Sequence, residues 1–405
     1  MSEIFLLRNY DRYPLTMESG AGCYLFDTRG KRYLDMVTGI GVNAFGHCHP
    51  RLTAALVDQA QRAVHSSNLV SNQYQGLLAE RLCRLSGLDR AFFCNSGTEA
   101  MEAALKAVRA RSRPGKEKLV ALHGSFHGRT MASLSVTGQP GLRQRFVYPG
   151  AEVAFIHPND SDALRAAISP DTAAVILEPV LGEGGIYPLE SEFLQLARSL
   201  ASDADAYLIA DEVQCGLGRT GKYFAYQWAG IQPDIAIVAK PLAGGLPLGA
   251  ALFTEDAAQW LPPHSHGTTF GGGPLACRVA FEVLDLVHET LPSIACKADE
   301  FLARLDWLKR RHPAIREVRS KGLMFGLQLD RPGISYVHSA LERGLLINCT
   351  QGTVLRFLPP YILGPRQMDE CLSVLDGVFE GTETAKPTKA DIMALDEHAF
   401  AAATA

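Results

Sequence analysis

The 405-residue chain has no pair of cysteines at CxxC spacing. Its 9 cysteines are scattered and odd in number, which speaks against a disulfide framework and for reduced thiols in a cytoplasmic protein. No apolar run approaches the roughly 20 residues needed to span a bilayer. The opening stretch MSEIFLLRNYDRYP carries an early acid and lacks the long apolar core of a signal peptide. Neither sign of charge dominates. Lys and Arg total 39 against 43 Asp and Glu, a net charge of −4 without a long basic stripe, which argues against nucleic acid as a partner. Two HxH clusters, His47/His49 and His264/His266, supply too few ligands for zinc, and none follows at zinc-finger spacing, so no metal is expected. Internal repeats and low-complexity blocks are missing as well.

What is present is an ordinary globular composition, 47% hydrophobic and 20% charged, long enough for two to three domains at roughly 150 residues each. CYLFDTRGKRYLDM (23–36) reads as a hairpin around DTRGK, and RLTAALVDQAQRAV and YQGLLAERLCRLSG read as amphipathic helices. Short apolar runs then alternate with helical stretches: AFFC (91–94), KLVALH (118–123), TAAVILEPV (172–180), YLIADEV (207–213), IAIVAK (235–240) and GAALFT (249–254). Continuous apolar strands between helices predict an α/β fold, a mostly parallel sheet covered on both faces. After residue 276 short strands mix with helices, which predicts a smaller α+β domain joined by the N-terminal segment. The expected division is 1–50 in the small domain, 51–275 as the large domain, 276–385 as the rest of the small domain, and 386–405 as an Ala-rich, loosely held tail.

Two of the apolar runs end in charge. YLIADEV ends in Asp211 and Glu212, and IAIVAK ends in Lys240 followed by Pro241. Ligands of parallel sheets bind beyond the carboxyl ends of the strands, where both charges sit. The residue before a proline prefers extended backbone, which suits a strand-end lysine. In CNSGTEAMEAALKAVRAR (94–111), Ser96 and Glu99 have capping-box spacing. That stretch is open to two readings: a capped helix and nothing more, or Ser96, Gly97 and Thr98 presented to a phosphate at a helix N-terminus. A phosphate cradle, an acid to face a pyridine nitrogen and a lysine able to form a Schiff base are together what pyridoxal 5′-phosphate requires.

Eight motifs in order carry a wider resemblance: GHCHP (46–50), NSGTEA (95–100), FHGRT (126–130), EPVLGEGG (178–185), DEVQCGLGRTG (211–221), AK (239–240), HGTTFGGGPLAC (266–277) and LRFLPP (355–360). From about residue 9 to about residue 380 the chain resembles the class III aminotransferases of the fold-type I pyridoxal-phosphate family, and within them the acetylornithine aminotransferases. The resemblance implies a seven-stranded large-domain sheet. It implies Lys240 as the Schiff-base lysine and proton carrier, Asp211 as partner of the ring nitrogen, and Gln214 as partner of the ring hydroxyl. Phe126 and Val213 would cover the two ring faces, and Ser96, Gly97 and Thr98 would hold the phosphate. Thr269 would reach the phosphate of a neighbouring subunit, which implies a homodimer with shared sites. Arg129 would bind the distal carboxylate, Arg356 the α-carboxylate of glutamate, and Glu183 would cover Arg356 while a single-carboxylate donor binds. Tyr10 would touch substrate. The implied reaction moves the terminal amino group of N-acetylornithine to 2-oxoglutarate, giving glutamate. Succinylornithine, ornithine and 4-aminobutyrate are alternative donors, and an aminomutase is a further one. The chain departs from the family pattern at Met101, Leu181, Pro241 and Gly273. Leu181 and Gly273 are expected near substrate or dimer contacts.

Overall fold

A computed structural model of the chain describes residues 5–146 and 152–383. The expected tail, 386–405, lies outside the described residues. The large sheet has seven strands, numbered here in chain order: β1 Arg90–Cys94, β2 Lys118–Leu122, β3 Val153–Ile156, β4 Thr172–Leu177, β5 Tyr207–Asp211, β6 Ile235–Val238 and β7 Gly249–Phe253. Their order across the sheet is β1-β7-β6-β5-β4-β2-β3, and only β7 runs antiparallel to its neighbours. Six of the seven are the apolar runs named above. The seventh, β3, is a four-residue edge strand and is mostly half-buried, so its apolar signal is short. The run TAAVILEPV stops being a strand of this sheet at Leu177. Pro179 has no N–H for a ladder, and Val180–Leu181 pairs instead with Tyr187–Pro188.

Both faces of the sheet are buried, which is why its strands read as unbroken apolar runs. Ala174 and Ile176 point to the helix Gly97–Arg111, packing with Ala100, Ala104 and Ala107. Their neighbours Val175 and Leu177 point the opposite way, against Phe193, Leu194 and Ala197 of the helix Ser191–Asp203. Each such Leu or Ile is worth about 1.5–3 kcal/mol of burial.

The N-terminal hairpin, Tyr24–Asp27 with Arg32–Asp35, pairs in parallel with Leu345–Leu346 and so joins the two ends of the chain. A second antiparallel sheet orders Ile315–Lys321, Met324–Leu329, Val354–Phe357 and Asn348–Thr350. The 38-residue helix Pro274–Arg311 packs on both sheets: Cys277, Ala280 and Leu284 lie against the large sheet, and Ile294, Phe301 and Leu305 lie against the second. Among the described residues no helix is long and apolar enough to cross a membrane, and no three His, Cys, Asp or Glu residues cluster as metal ligands.

Candidate active site

Strands β5 and β6 are parallel neighbours, with Asp211 in register with Ile237. Their carboxyl ends therefore deliver Asp211 and Lys240 to one cavity of about 410 Å³, which Phe126, Val213, Gln214 and the 96–98 turn also line. Lys240 does not sit in extended backbone as its place before Pro241 predicts. Its φ is +33°, in the left-handed region, and it opens a 3₁₀ turn over Lys240–Ala243. The physical reason is an immediate reversal: β6 ends at Val238, and the Leu242 N–H closes on the Ala239 carbonyl at 2.8 Å. Such strain costs of order 1–3 kcal/mol and survives where the surroundings over-determine it. Burial holds the Lys240 amine below the usual lysine range; the Arg356 charge adds to this, and Glu183, Glu178 and Asp211 oppose it. An amine that releases its proton readily suits attack on a carbonyl.

Asp211 is buried and held from two sides. Oδ1 accepts from the Val213 N–H at 3.1 Å, and Oδ2 lies 2.7 Å from His127 Nδ1. Burial opposes a charge on His127, but the hydrogen bond and charge of Asp211, with Glu178 beyond, outweigh it and raise the imidazole pKa. Glu178 accepts from the Phe126 N–H at 2.8 Å and the Gly182 N–H at 3.1 Å, and burial pushes its carboxyl up to about 7. Neither His127 nor Glu178 is among the site residues expected from sequence, although both stand inside the quoted motifs FHGRT and EPVLGEGG. Glu212, next to Asp211, turns away into the core. It accepts from the Ala225 and Tyr226 N–H groups at 2.8 and 2.9 Å, and burial pushes it up to about 7.

At the start of the helix Gly97–Arg111, Ser96 Oγ accepts from the Glu99 N–H at 3.3 Å. The expected capping box closes differently, because Glu99 Oε2 reaches past Ser96 to the Asn95 N–H at 2.8 Å. The first-turn N–H groups of Gly97 and Thr98 have no intrahelical acceptor, and both residues line the cavity. Glycine is required at 97, since a Cβ there would stand 2.8 Å from Val213 Cγ2. Thr98 Oγ1 bonds Ser133 Oγ at 2.7 Å.

Arg356 lies on the strand Val354–Phe357 and is 1% exposed. Its Nη1 donates to Glu183 Oε1 at 2.6 Å and to the Gly182 carbonyl at 3.2 Å, while Nη2 is buried with no partner among the described residues. The pair is thus no surface salt bridge. Burial alone would raise the Glu183 pKa, but the Arg356 and Lys240 charges overcome it and hold the carboxyl below its usual range. Arg129 is exposed at the cavity, its guanidinium 5.5 Å from the Phe126 ring centroid.

Four other positions named from the sequence lie outside the cavity of this chain. Tyr10 is 73% exposed and does not line the cavity. Tyr13 is the nearer tyrosine: its hydroxyl donates to the Ile347 carbonyl at 3.0 Å, and the Arg356 charge bears on it, because the hairpin that follows ties residue 13, not residue 10, to the small domain. Thr269 is exposed and outside the cavity of its own chain. Leu181 packs in the core with Val120, Leu122 and Phe193, since the strand pair Val180–Leu181 with Tyr187–Pro188 turns it inward. Gly273 precedes the long helix as its N-cap.

Residues 5–379 match the model of the family described as aminotransferase class III. The chain belongs to the class III aminotransferases. It is 43% identical over 380 residues to an acetylornithine aminotransferase of Methanocaldococcus jannaschii, covering 92% of this chain and 95% of that one. It is 44% identical to an acetylornithine aminotransferase of Aquifex aeolicus, covering 92% and 98%. Among solved structures, ornithine aminotransferase of Toxoplasma gondii superposes with a TM-score of 0.88 at 31% identity, covering 94% of each chain. N-acetylornithine aminotransferase of Stenotrophomonas maltophilia gives 0.82 at 32% identity, covering 95% and 99%.

The site of this aminotransferase fits a phosphorylated pyridine aldehyde. Gln214 is buried at the cavity, yet neither Oε1 nor Nε2 of its amide has a partner among the described residues. Such an amide is costly unless a bound group completes it. Gly182 makes room for it, since a Cβ there would stand 2.0 Å from Gln214 Oε1. One cavity thus gathers the backbone N–H groups of 97–98, an amide, an acid and an amine, the partner types that a phosphate, a ring hydroxyl, a ring nitrogen and an aldehyde need.

Proposed function

We propose that the chain transfers the terminal amino group of N-acetylornithine to 2-oxoglutarate in a reversible exchange, with pyridoxal 5′-phosphate as cofactor; the donor is the one its curated relatives are named for. The observation that carries the choice of a single-carboxylate donor is the buried Arg356, closed by Glu183, with Arg129 open, and the acetyl group is read from the names of the curated relatives. A donor with one carboxylate finds Arg129 free and Arg356 taken, so its amine end turns inward. A dicarboxylate engages both arginines once Glu183 moves aside, with Nη1 and Nη2 of Arg356 forming a two-pronged grip. An aminomutase has no use for such a second carboxylate site.

In this reading Asp211 holds the ring nitrogen, Gln214 the ring hydroxyl, and Gly97 and Thr98, with Ser96, the phosphate. Phe126 and Val213 cover the ring faces. When bound, the cofactor supplies the carbonyl that takes the amino group and a ring that accepts electron density. Asp211, fixed by His127, keeps its charge where that ring needs it. Lys240 Nζ moves the proton at the substrate carbon, a role that contributes about 10²–10⁴-fold. Glu178 holds the Phe126 and Gly182 backbone, so the ring wall and the Arg356 collar share one anchor.

The chain is further read as a cytoplasmic homodimer of two bodies divided near residue 276. All nine cysteines are free. Leu69, 96% exposed, with Val70 and Phe270, flanks Thr269 as an apolar surface, and Asn68 Nδ2 ties that loop to the Thr268 carbonyl at 3.2 Å. A second copy placed there would bring Thr269 towards its phosphate site.

Glutamate formation from 2-oxoglutarate with N-acetylornithine, N-succinylornithine, ornithine and 4-aminobutyrate tests the function. The highest kcat/KM is expected for N-acetylornithine. A preference for any other donor overturns the assignment of substrate.

A further inference from the structure

Arg219 stands in DEVQCGLGRTG, yet neither the cofactor nor a substrate needs it in the account above. It is 1% exposed, and no carboxylate pairs with it among the described residues. Its Nη1 donates to the Leu323 carbonyl at 3.2 Å and to the Pro359 carbonyl, its plane lies 4.6 Å from the Tyr361 ring centroid, and Nη2 has no partner among the described residues. Burial holds its pKa below the usual arginine range. A buried charge without a counter-ion is unfavourable, so its retention calls for a structural return.

The return is in what it grips. Pro359 stands two residues beyond the end of the strand that carries Arg356. Leu323 precedes the strand Met324–Leu329, whose Gly326 lies opposite Arg356 in the ladder. The same segments bond back: the Leu323 N–H donates to the Arg219 carbonyl at 2.9 Å, and the Tyr361 hydroxyl donates to the Leu217 carbonyl at 3.0 Å. Gly322 allows the contact, since a Cβ there would stand 2.5 Å from the Arg219 carbonyl oxygen. The loop that leaves Asp211 and Gln214 is therefore clamped to both strands around Arg356. On its far side the tract is tied to the N-terminal segment, with Leu358 N–H to Met36 O at 2.7 Å and Tyr361 N–H to Ala44 O at 2.6 Å.

We propose that Arg219 is a positioning residue for the dicarboxylate substrate, setting where Arg356 stands relative to Asp211 and Lys240. The inference rests on the reading of Arg356 as a carboxylate site. The acetylornithine half-reaction uses Arg129, which is outside the clamp, and depends on Arg219 less. A residue that merely stabilised the fold would affect both half-reactions alike.

The test uses holoenzyme of wild type, Arg219→Lys and Tyr361→Phe. Calorimetry reads the binding of glutarate, a dicarboxylate with neither amino nor keto group to exchange, and steady-state kinetics read 2-oxoglutarate and N-acetylornithine. For Arg219→Lys, the glutarate Kd and the 2-oxoglutarate KM are expected to rise about tenfold, and kcat/KM for N-acetylornithine to change less than about threefold; misplacement by 1 Å is worth up to 10²-fold. Equal losses in both arms, or an unchanged glutarate Kd, overturn the proposal. If Arg219→Lys does not fold, Tyr361→Phe, which keeps the ring and removes one clamp bond, decides by the same split. A wild type that binds glutarate but does not use N-acetylornithine sinks the functional reading and leaves Arg219 to be judged on the glutarate arm.

Discussion

The two walls of the candidate site, the cavity at Lys240 and the Arg356 side whose charge bears on that amine, treat charge differently. On the large-sheet wall the charged groups are fixed in place. Asp211 is locked between the Val213 N–H and His127, and Lys240 is fixed by a strained turn. On the Arg356 wall the partner is a half-buried side chain: Glu183, with a side chain 28% exposed, bonds Nη1 of Arg356, and Nη2 has no partner among the described residues. The lesson is that a constant reaction centre and a variable substrate set different demands. The first needs an acid and an amine held in fixed positions, and the second needs a charge whose partner can leave.

The sharpest way to break the contrast is at Lys240. Lys240→Ala should lower kcat by about 10²–10⁴-fold or more. Borohydride reduction should no longer fix the cofactor to the chain, whereas a reducible adduct that persists would mean another lysine serves. Next in size, His127→Phe removes the orienting contact of Asp211 but not the acid. A hydrogen bond to a buried charge is worth about 1.5–3 kcal/mol, so kcat should fall about 10–100-fold with KM for both substrates little changed. If instead KM alone moves, Asp211 is not held by His127 for catalysis.

Glu183→Ala probes the other wall. The ratio of kcat/KM for glutamate to that for N-acetylornithine should rise about tenfold, as the single-carboxylate donor is drawn to an open Arg356. An unchanged ratio would erase the distinction between the walls. The smallest effect belongs to Glu212, the acid that faces neither wall. Its folded pKa of about 7 exceeds the ordinary 4.5, so the folded chain binds its proton more tightly than the unfolded chain. That stabilisation is complete below about 4.5 and is lost as pH rises through about 7. Glu178, also at about 7, acts in the same direction. Urea unfolding from pH 5 to 8 should therefore show stability falling with pH, and Glu212→Gln should flatten the fall by about 1–3 kcal/mol. An identical slope in the variant would mean that Glu212 is already ionised at low pH.

Much of this is legible in the sequence. Strand identity came from apolar runs buried on both faces, and the acid and the lysine stood out because each ends such a run. The edge strand Val153–Ile156 escaped because a half-buried edge needs little apolar signal. The Lys240 backbone ran against its local rule because packing of the following turn outweighed the preference of a residue before proline. His127 and Glu178 were hidden in plain motifs, since a motif does not say which of its members face one another.

The sequence by itself determined the order of strands and helices, the class of chemistry and the two charges at adjacent strand ends, because periodicity and chain order are local properties. Tertiary structure alone decided which of two neighbouring acids faces the cavity and which is sealed in the core. It also decided that Arg356 meets Glu183 across 173 positions of chain, and that Arg219 is buried with carbonyls and a ring instead of an acid. Those outcomes depend on which distant backbones come within 3 Å of one another, and no local pattern encodes that distance.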